Sequence, residues 1–281
     1  MSAYRFCRTD DVGLLVDALN RCWAPHFPGE APATPASFKR SIRDLQVWCS
    51  SCMVAFSGSD PIGVLIGAKR PSGTLIHKIA VHPDHVRQGH GRHLLTSLSS
   101  KLSILGPPRM VAEVPETFAP VCALFSASGY VQEAVLTDYV LEPAPSERAA
   151  RIEGFLIPVT VDDLAANDLL GAAHSPVCWE RSVETLSARK ADLAGLAVAS
   201  ADQIEAYVLY VKHGVETEIL SLRSFIDDGG ARLTQLLSRL GPGTFRFSKV
   251  HPAEFSKASL EALGFRPAGG HLLCAAKARS G

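Results

Sequence analysis

The sequence carries no net charge, its 28 Lys and Arg being offset by 28 Asp and Glu over 281 residues. With no overall field, a chain drawn by charge to nucleic acid or to an anionic membrane is excluded, and any anion site must be local. Long apolar runs are missing as well: no segment reaches the ~18 continuous apolar residues of a membrane helix. The opening MSAYRFCRTDDVG lacks the basic start and apolar stretch of a secretory leader. A soluble, cytoplasmic protein is the expectation. There is no disulfide framework either, because the cysteines number seven and are spread over both halves, as reduced thiols would be. Cys49 and Cys52 have redox or zinc spacing, but no second Cys/His pair lies at a finger-like distance. Packing is their expected role, and no metal is expected.

What is present is length and internal likeness. A chain of 281 residues exceeds what one core usually serves, which favours two domains. The segment LEPAPSERAARIEG, 141–154, reads as a linker, with a boundary near Ser146 and domains over 1–145 and 152–281. MVAFSGSDPIGVLIGAK from Met53 and LAVASADQIEAYVLYVK from Leu196 match without a gap, and at the same offset TLIHKIAV from Thr74 falls on TEILSLRS from Thr217. VPETFAPVCALFSASGY, ending at Tyr130, parallels VHPAEFSKASLEALGF, ending at Phe265. Likeness over a whole domain length points to duplication, since solenoid repeats have shorter periods.

In the first half, Thr9 is a candidate N-cap for an amphipathic helix through Trp23, and Thr34-Pro35 opens a second helix to about Trp48. Strands follow near 52–57, 61–69 and 74–81. Leu94, Leu95, Leu98 and Leu102 recur at helical spacing. A strand from Met110 to Val114, a helix from Phe118 to Ala127 and a strand from Tyr130 to Leu141 complete the half. The order α-α-β-β-β-α-β-α-β predicts an α/β (α+β) mixed sheet with helices on its faces.

VHPDHVRQGHGRHLL, from Val81, holds four histidines, two arginines and two glycines. Two glycines directly before a helix let backbone amides turn inward where unpaired N–H groups and positive dipole gather, and Arg87 and Arg92 add charge. The pattern predicts an anion cradle suited to a diphosphate. A solvated glycine turn is the plainer alternative. His82, His85 and His93 are expected at the surface or in turns, and His90 acts mainly through its amide. The stretch resembles the Arg/Gln-x-x-Gly-x-Gly/Ala signature of the GNAT superfamily of acyl-CoA-dependent N-acyltransferases, and Arg87, Gln88, Gly89, His90, Gly91 and Arg92 fall on its pyrophosphate loop. The resemblance implies that Ile79, Ala80 and Val81 hold the pantetheine arm, and that acetyl-CoA or another short acyl-CoA is the cosubstrate.

Acyl transfer needs a neutral amine, whereas a free alkylamine has a pKa of about 10.4, so a base must take its proton. Strand alternation places Leu75, His77, Ile79 and Val81 on one face, with His77 the polar exception. LIHKIAVH resembles the histidine-bearing strand of arylalkylamine acetyltransferases, where His77 falls on one of two histidines and Leu75 replaces the other. His77 is the candidate base; a histidine hydrogen-bonded inside the sheet is the alternative. Glu113 is the second candidate, or else a solvent-facing carboxylate. Phe125 stands where many family members carry a proton-donating tyrosine, and Phe118 where an asparagine is usual.

In the second half the glycine pair Gly229-Gly230 follows a shorter loop, four residues shorter at the glycines, and Asp227-Asp228 stands where Arg87 and Gln88 would be. Two carboxylates would repel a diphosphate, so 152–281 reads as a degenerate copy. The expected function is direct transfer of an acetyl group from acetyl-CoA to a small-molecule or peptide amine, with no nucleic acid or membrane partner and a homo-oligomer left open. The alternative is a non-catalytic acyl-CoA-binding or regulatory module.

Overall fold

The computed structural model describes residues 2–142, 154–171 and 177–279. The expected boundary at Ser146 lies outside them. Two compact units emerge, one of Met1–Glu133 with Leu272–Gly281, the other Ala134–His271. The strand expected to close the first half thus contributes most of its length to the second unit, and the C-terminal segment closes the first.

The first unit runs β1 (Ser2–Phe6), α1 (Val12–Cys22), α2 (Pro35–Leu45), β2 (Met53–Ser57), β3 (Asp60–Arg70), β4 (Gly73–Val81), α3 (His90–Leu105), β5 (Arg109–Pro115), α4 (Ala119–Ala127) and the start of β6 (Val131–Leu141). β1 is absent from the expected order. Its five residues are too few to show a period, yet Tyr4 and Phe6 alternate onto the core and the strand pairs antiparallel with β2. Thr9 is not the cap of α1. Asp11 stands at that position, its carboxylate accepting from the Arg8 N–H (2.7 Å) and pairing with Arg5 (2.8 Å). α2 opens as expected, Thr34 and Ser37 forming a reciprocal capping box with Pro35 in the first turn.

Leu94, Leu95, Leu98 and Leu102 line one face of α3 and pack on Ile76, Met110, Ala112 and Val114 of the sheet, with Phe125 of α4 beside them. Each apolar side chain of this size, fully withdrawn from water, contributes about 1.5–3 kcal/mol before entropic costs. Cys7, Cys49 and Cys52 are buried, and burial pushes the Cys7 thiol up to about 12 and the Cys52 thiol higher still. Such thiols stay protonated and serve as small apolar fillers.

The second unit adds β7 (Phe155–Pro158), α5 (Val161–Ala166), α6 (Val183–Ala188), β8 (Ala194–Ala199), β9 (Ile204–His213), β10 (Glu216–Ser224), α7 (Ala231–Arg239), β11 (Thr244–Val250), α8 (Lys257–Ala262) and β12 (Arg266–Lys277). The two units repeat each other down to their irregularities. In the first, β-bulges interrupt the register at Ile62 in β3 and at His77 in β4; in the second they fall at Glu205 in β9 and Leu220 in β10. Both pairs keep the offset that aligns Met53 with Leu196. A bulge re-aims side chains and is retained for that reason, so its recurrence at two matched places is the signature of duplication. Gly129 and Gly264, each before the aromatic that follows a helix, both take left-handed backbone (φ 83° and 92°).

Candidate active site of the first unit

The bulge at His77 changes one expectation. Ile76 and Ile79 both pack toward α3, while Lys78 between them reaches Trp23 on the α1 side, so the strand slips by one residue and Leu75, His77, Ile79 and Val81 do not share a face. Already before the bulge, β4 loses its parallel partner. Only Thr74 and Leu75 pair with β5, opposite Met110 and Val111. Past those pairs no further pairing joins the two strands among the described residues, so on the β5 side Ile79, Ala80 and Val81 have no strand partner. The Val81 carbonyl already accepts a hydrogen bond from the His26 ring (2.8 Å). His77 and Glu113 lie two residues beyond the last pair on their respective strands, so topology brings both candidates to the mouth of this opening in the pairing, each half-buried.

The loop from His82 to Gly89 closes one end of this opening. Arg87 and Gly89 have positive φ (64° and 87°) and Gln88 between them does not. Alternation of this kind turns successive N–H groups inward into an anion-binding concavity. The first helical bond of α3 runs from the His93 N–H to the Gly89 carbonyl, so the N–H groups of His90, Gly91 and Arg92 precede the ladder, and no side chain caps them. Gly89 is needed for its backbone angle. Gly91 packs closely: a Cβ there would stand 3.0 Å from the end of the Leu124 side chain of α4, which would have to shift. Arg87 and Gln88 are exposed, whereas Arg92 reaches across to the Ala127 carbonyl at the end of α4 (3.3 Å). The side chain of His90 was not expected to matter, yet it is buried and hydrogen-bonded to the Tyr4 hydroxyl (2.6 Å).

The segment between α1 and α2 borders the opening on the α1 side. Trp23 stacks on Phe27 (4.2 Å between ring centroids), Phe27 meets Phe118 edge-on (5.1 Å), and the Lys78 ammonium lies 4.2 Å above the Trp23 ring. Glu30 accepts from the Trp23 indole (3.0 Å) and from Lys78 (3.1 Å). These contacts build an apolar wall with one neutralised ion pair. Phe125 offers no proton, and it is also buried in the core, edge-on to Tyr130.

Residues 15–130 match the model of the Acetyltransferase (GNAT) family. The chain carries a GNAT domain. That span holds the unpaired strand ends, the cradle and α4, so the GNAT match and the open α3 terminus coincide. Similar solved structures extend the fold over the whole chain. A tandem GNAT protein from the clavulanic acid biosynthesis pathway is 16% identical and aligns over 99% of each chain with a TM-score of 0.67. A GCN5-related N-acetyltransferase from Sphaerobacter thermophilus is 13% identical over 100% of this chain and 96% of its own (TM-score 0.67). A putative acetyltransferase from Pyrococcus horikoshii is 15% identical, over 99% of this chain and 90% of its own (TM-score 0.63). At these identities the likeness establishes a tandem GNAT fold. No curated protein matches this chain significantly.

The second unit holds the same helix terminus in a different state. Gly230 stands at the N-cap of α7 with φ 87°, as Gly89 does for α3. Matched at these caps, the loop is eight residues long in the GNAT domain (82–89) and six in the second unit (225–230), a loss of two and not the four expected from the glycine pairs. The Asp228 carboxylate accepts from the N–H groups of Gly230 (2.9 Å) and Arg232 (2.8 Å). Its charge sits on free N–H groups at the start of α7. Leu220 stands at the bulge where the GNAT domain has His77, and it is buried. Asp228→Ala is expected to destabilise the second unit by about 1 kcal/mol, comparable to a side chain that accepts from the free N–H groups of a helix start, which thermal denaturation would show as a lowered Tm.

Proposed function

We propose that the GNAT domain transfers an acyl group, acetyl in the simplest case, from CoA directly to an amine, and that the second unit is a non-catalytic copy. The observation that carries this reading is the contrast between two matched helix termini, one open beside unpaired strand ends and the other filled by Asp228. Arg87, Gln88, Gly89, His90, Gly91 and Arg92 supply the diphosphate cradle, with the amides of His90 and Gly91 at its centre. Ile79, Ala80 and Val81 offer backbone groups to the pantetheine arm.

In this reading the acceptor nitrogen attacks the thioester carbonyl. A C–N bond forms, the C–S bond breaks, and the nitrogen's proton passes to His77, or through water to Glu113. With Phe125 in the core, the departing thiolate takes its proton from water. Direct attack is preferred because the thiols of Cys7 and Cys22 are buried and pushed up to about 12 and about 11, which leaves neither as an acyl carrier. The apolar wall of Trp23, Phe27 and Phe118 faces the acceptor, a small molecule or a peptide amine.

Incubation with acetyl-CoA and a panel of amines, read as free thiol released, tests the activity. Release that depends on an amine supports it. A second reading, a module that binds acyl-CoA without turnover, is favoured by Phe125; CoA binding with no thiol release on any amine would establish that reading instead.

A further inference from the structure

We infer that Tyr4 and His90 form a tether that holds the first turn of α3 open and ordered for the diphosphate, so that the Tyr4 hydroxyl and the His90 ring are positioning groups for coenzyme binding. The inference rests on the GNAT domain being the CoA site. An uncapped helix start normally frays, and its unpaired N–H groups lose their common direction. α3 has no side-chain cap at Gly89. What fixes its first turn instead are side chains pointing away from the cradle.

Tyr4, on β1, meets two of them. Its hydroxyl lies 2.6 Å from His90 Nδ1, and its ring lies 3.7 Å from the His93 ring. Arg92 adds the third tie, to the Ala127 carbonyl. His90 is only 6% exposed, so its ring is part of the fold while its amide faces the loop. Burial, and then the neighbouring His85 and His93, hold the His90 pKa below the ordinary imidazole value, which keeps the ring neutral near pH 7. A neutral ring either accepts the Tyr4 O–H at Nδ1 or donates Nδ1–H to the Tyr4 oxygen, and the bond exists in both tautomers.

The second unit provides the internal control. The residue matched to Tyr4 through strand register is Leu156, opposite Val198 as Tyr4 is opposite Ala55, and the residue after the matched N-cap glycine is Ala231 in place of His90. Both partners of the tether are missing together in the copy whose helix start is held by Asp228. Each helix start is secured once: by a carboxylate that fills the cradle, or by a tether that leaves it free.

The test uses the full chain with Tyr4→Phe, which keeps the ring and removes only the hydroxyl. Calorimetric Kd for CoA is expected to rise about five-fold, the worth of one hydrogen bond, and KM for acetyl-CoA to rise with it, while kcat at saturating coenzyme stays unchanged. Hydrogen exchange in a peptide spanning 86–95 should quicken in the free variant and return to wild-type protection when CoA is bound. His90→Phe should weaken CoA similarly, and the double variant Y4F/H90F no further, since both remove one bond. Wild-type binding that Y4F leaves unchanged, or a kcat loss with KM intact, overturns the tether alone. A wild-type protein that does not bind CoA overturns the functional reading and the tether with it.

Discussion

Gly89→Glu is expected to weaken CoA binding by ~100-fold or more while the fold survives. The carboxylate carries the effect on binding, because the strain of a side chain at φ 87°, about 1–2 kcal/mol, is the same with and without coenzyme and lowers only the stability of the fold. The new carboxylate faces the coenzyme's diphosphate at the helix start, where two like charges about 4 Å apart repel by about 4 kcal/mol near a protein surface. Nothing lies within 4 Å of a Cβ at this position, so the variant meets no steric block to folding. Titration calorimetry with CoA reads the loss, and circular dichroism verifies the fold. An unchanged Kd would mean that the coenzyme does not use this loop. Asp228 makes the same point from the other unit, where a natural carboxylate at the matched terminus already accepts the N–H groups of Gly230 and Arg232.

His77→Ala is expected to lower kcat by about 10²–10⁴-fold, the usual contribution of a positioned general base, and to leave CoA affinity within two-fold of wild type. The deficit should shrink as pH rises toward the acceptor's pKa of about 10.4, because more of the amine is then free and the base has less to do. Initial rates of thiol release from pH 6.5 to 9.5 give the profile. Glu113→Gln separates the two candidates: if it, and not His77→Ala, produces the large pH-dependent loss, the carboxylate is the base. A loss below three-fold in both variants would mean that neither is the base and that water or another group takes the proton.

The repeated elements were legible because their residues carry a period. The four leucines of α3, the capping box at Thr34 and the glycine-aromatic closures at Gly129 and Gly264 all stand where the pattern puts them. β1 was not legible, since five residues of a strand carry too little alternation. The bulge at His77 was hidden for a different reason: sequence alternation assumes an unbroken ladder, and the extra residue that moves Lys78 to the Trp23 side shows only in strand pairing. The same irregularity at Leu220 could have been suspected from the ungapped match of the halves only after one of the two was seen.

At the site, the cradle was legible as a local string, but what surrounds it was not. The Tyr4–His90 contact joins residues 86 apart in the chain. Asp228 was read as repelling a ligand, and its position shows something more specific, a carboxylate seated on the amides themselves. Gly91 was read as part of the cradle, and the fold adds that a Cβ there would also stand 3.0 Å from Leu124. In each case the residue type was informative, and its partner had to come from the fold.

The most direct test of the account is a crystal structure of the full chain with CoA. The diphosphate is expected against the N–H groups of His90 and Gly91, the pantetheine arm along Ile79 to Val81, and no nucleotide at Gly230. A diphosphate bound at the second unit, or anywhere away from the Arg87–Arg92 loop, would contradict it.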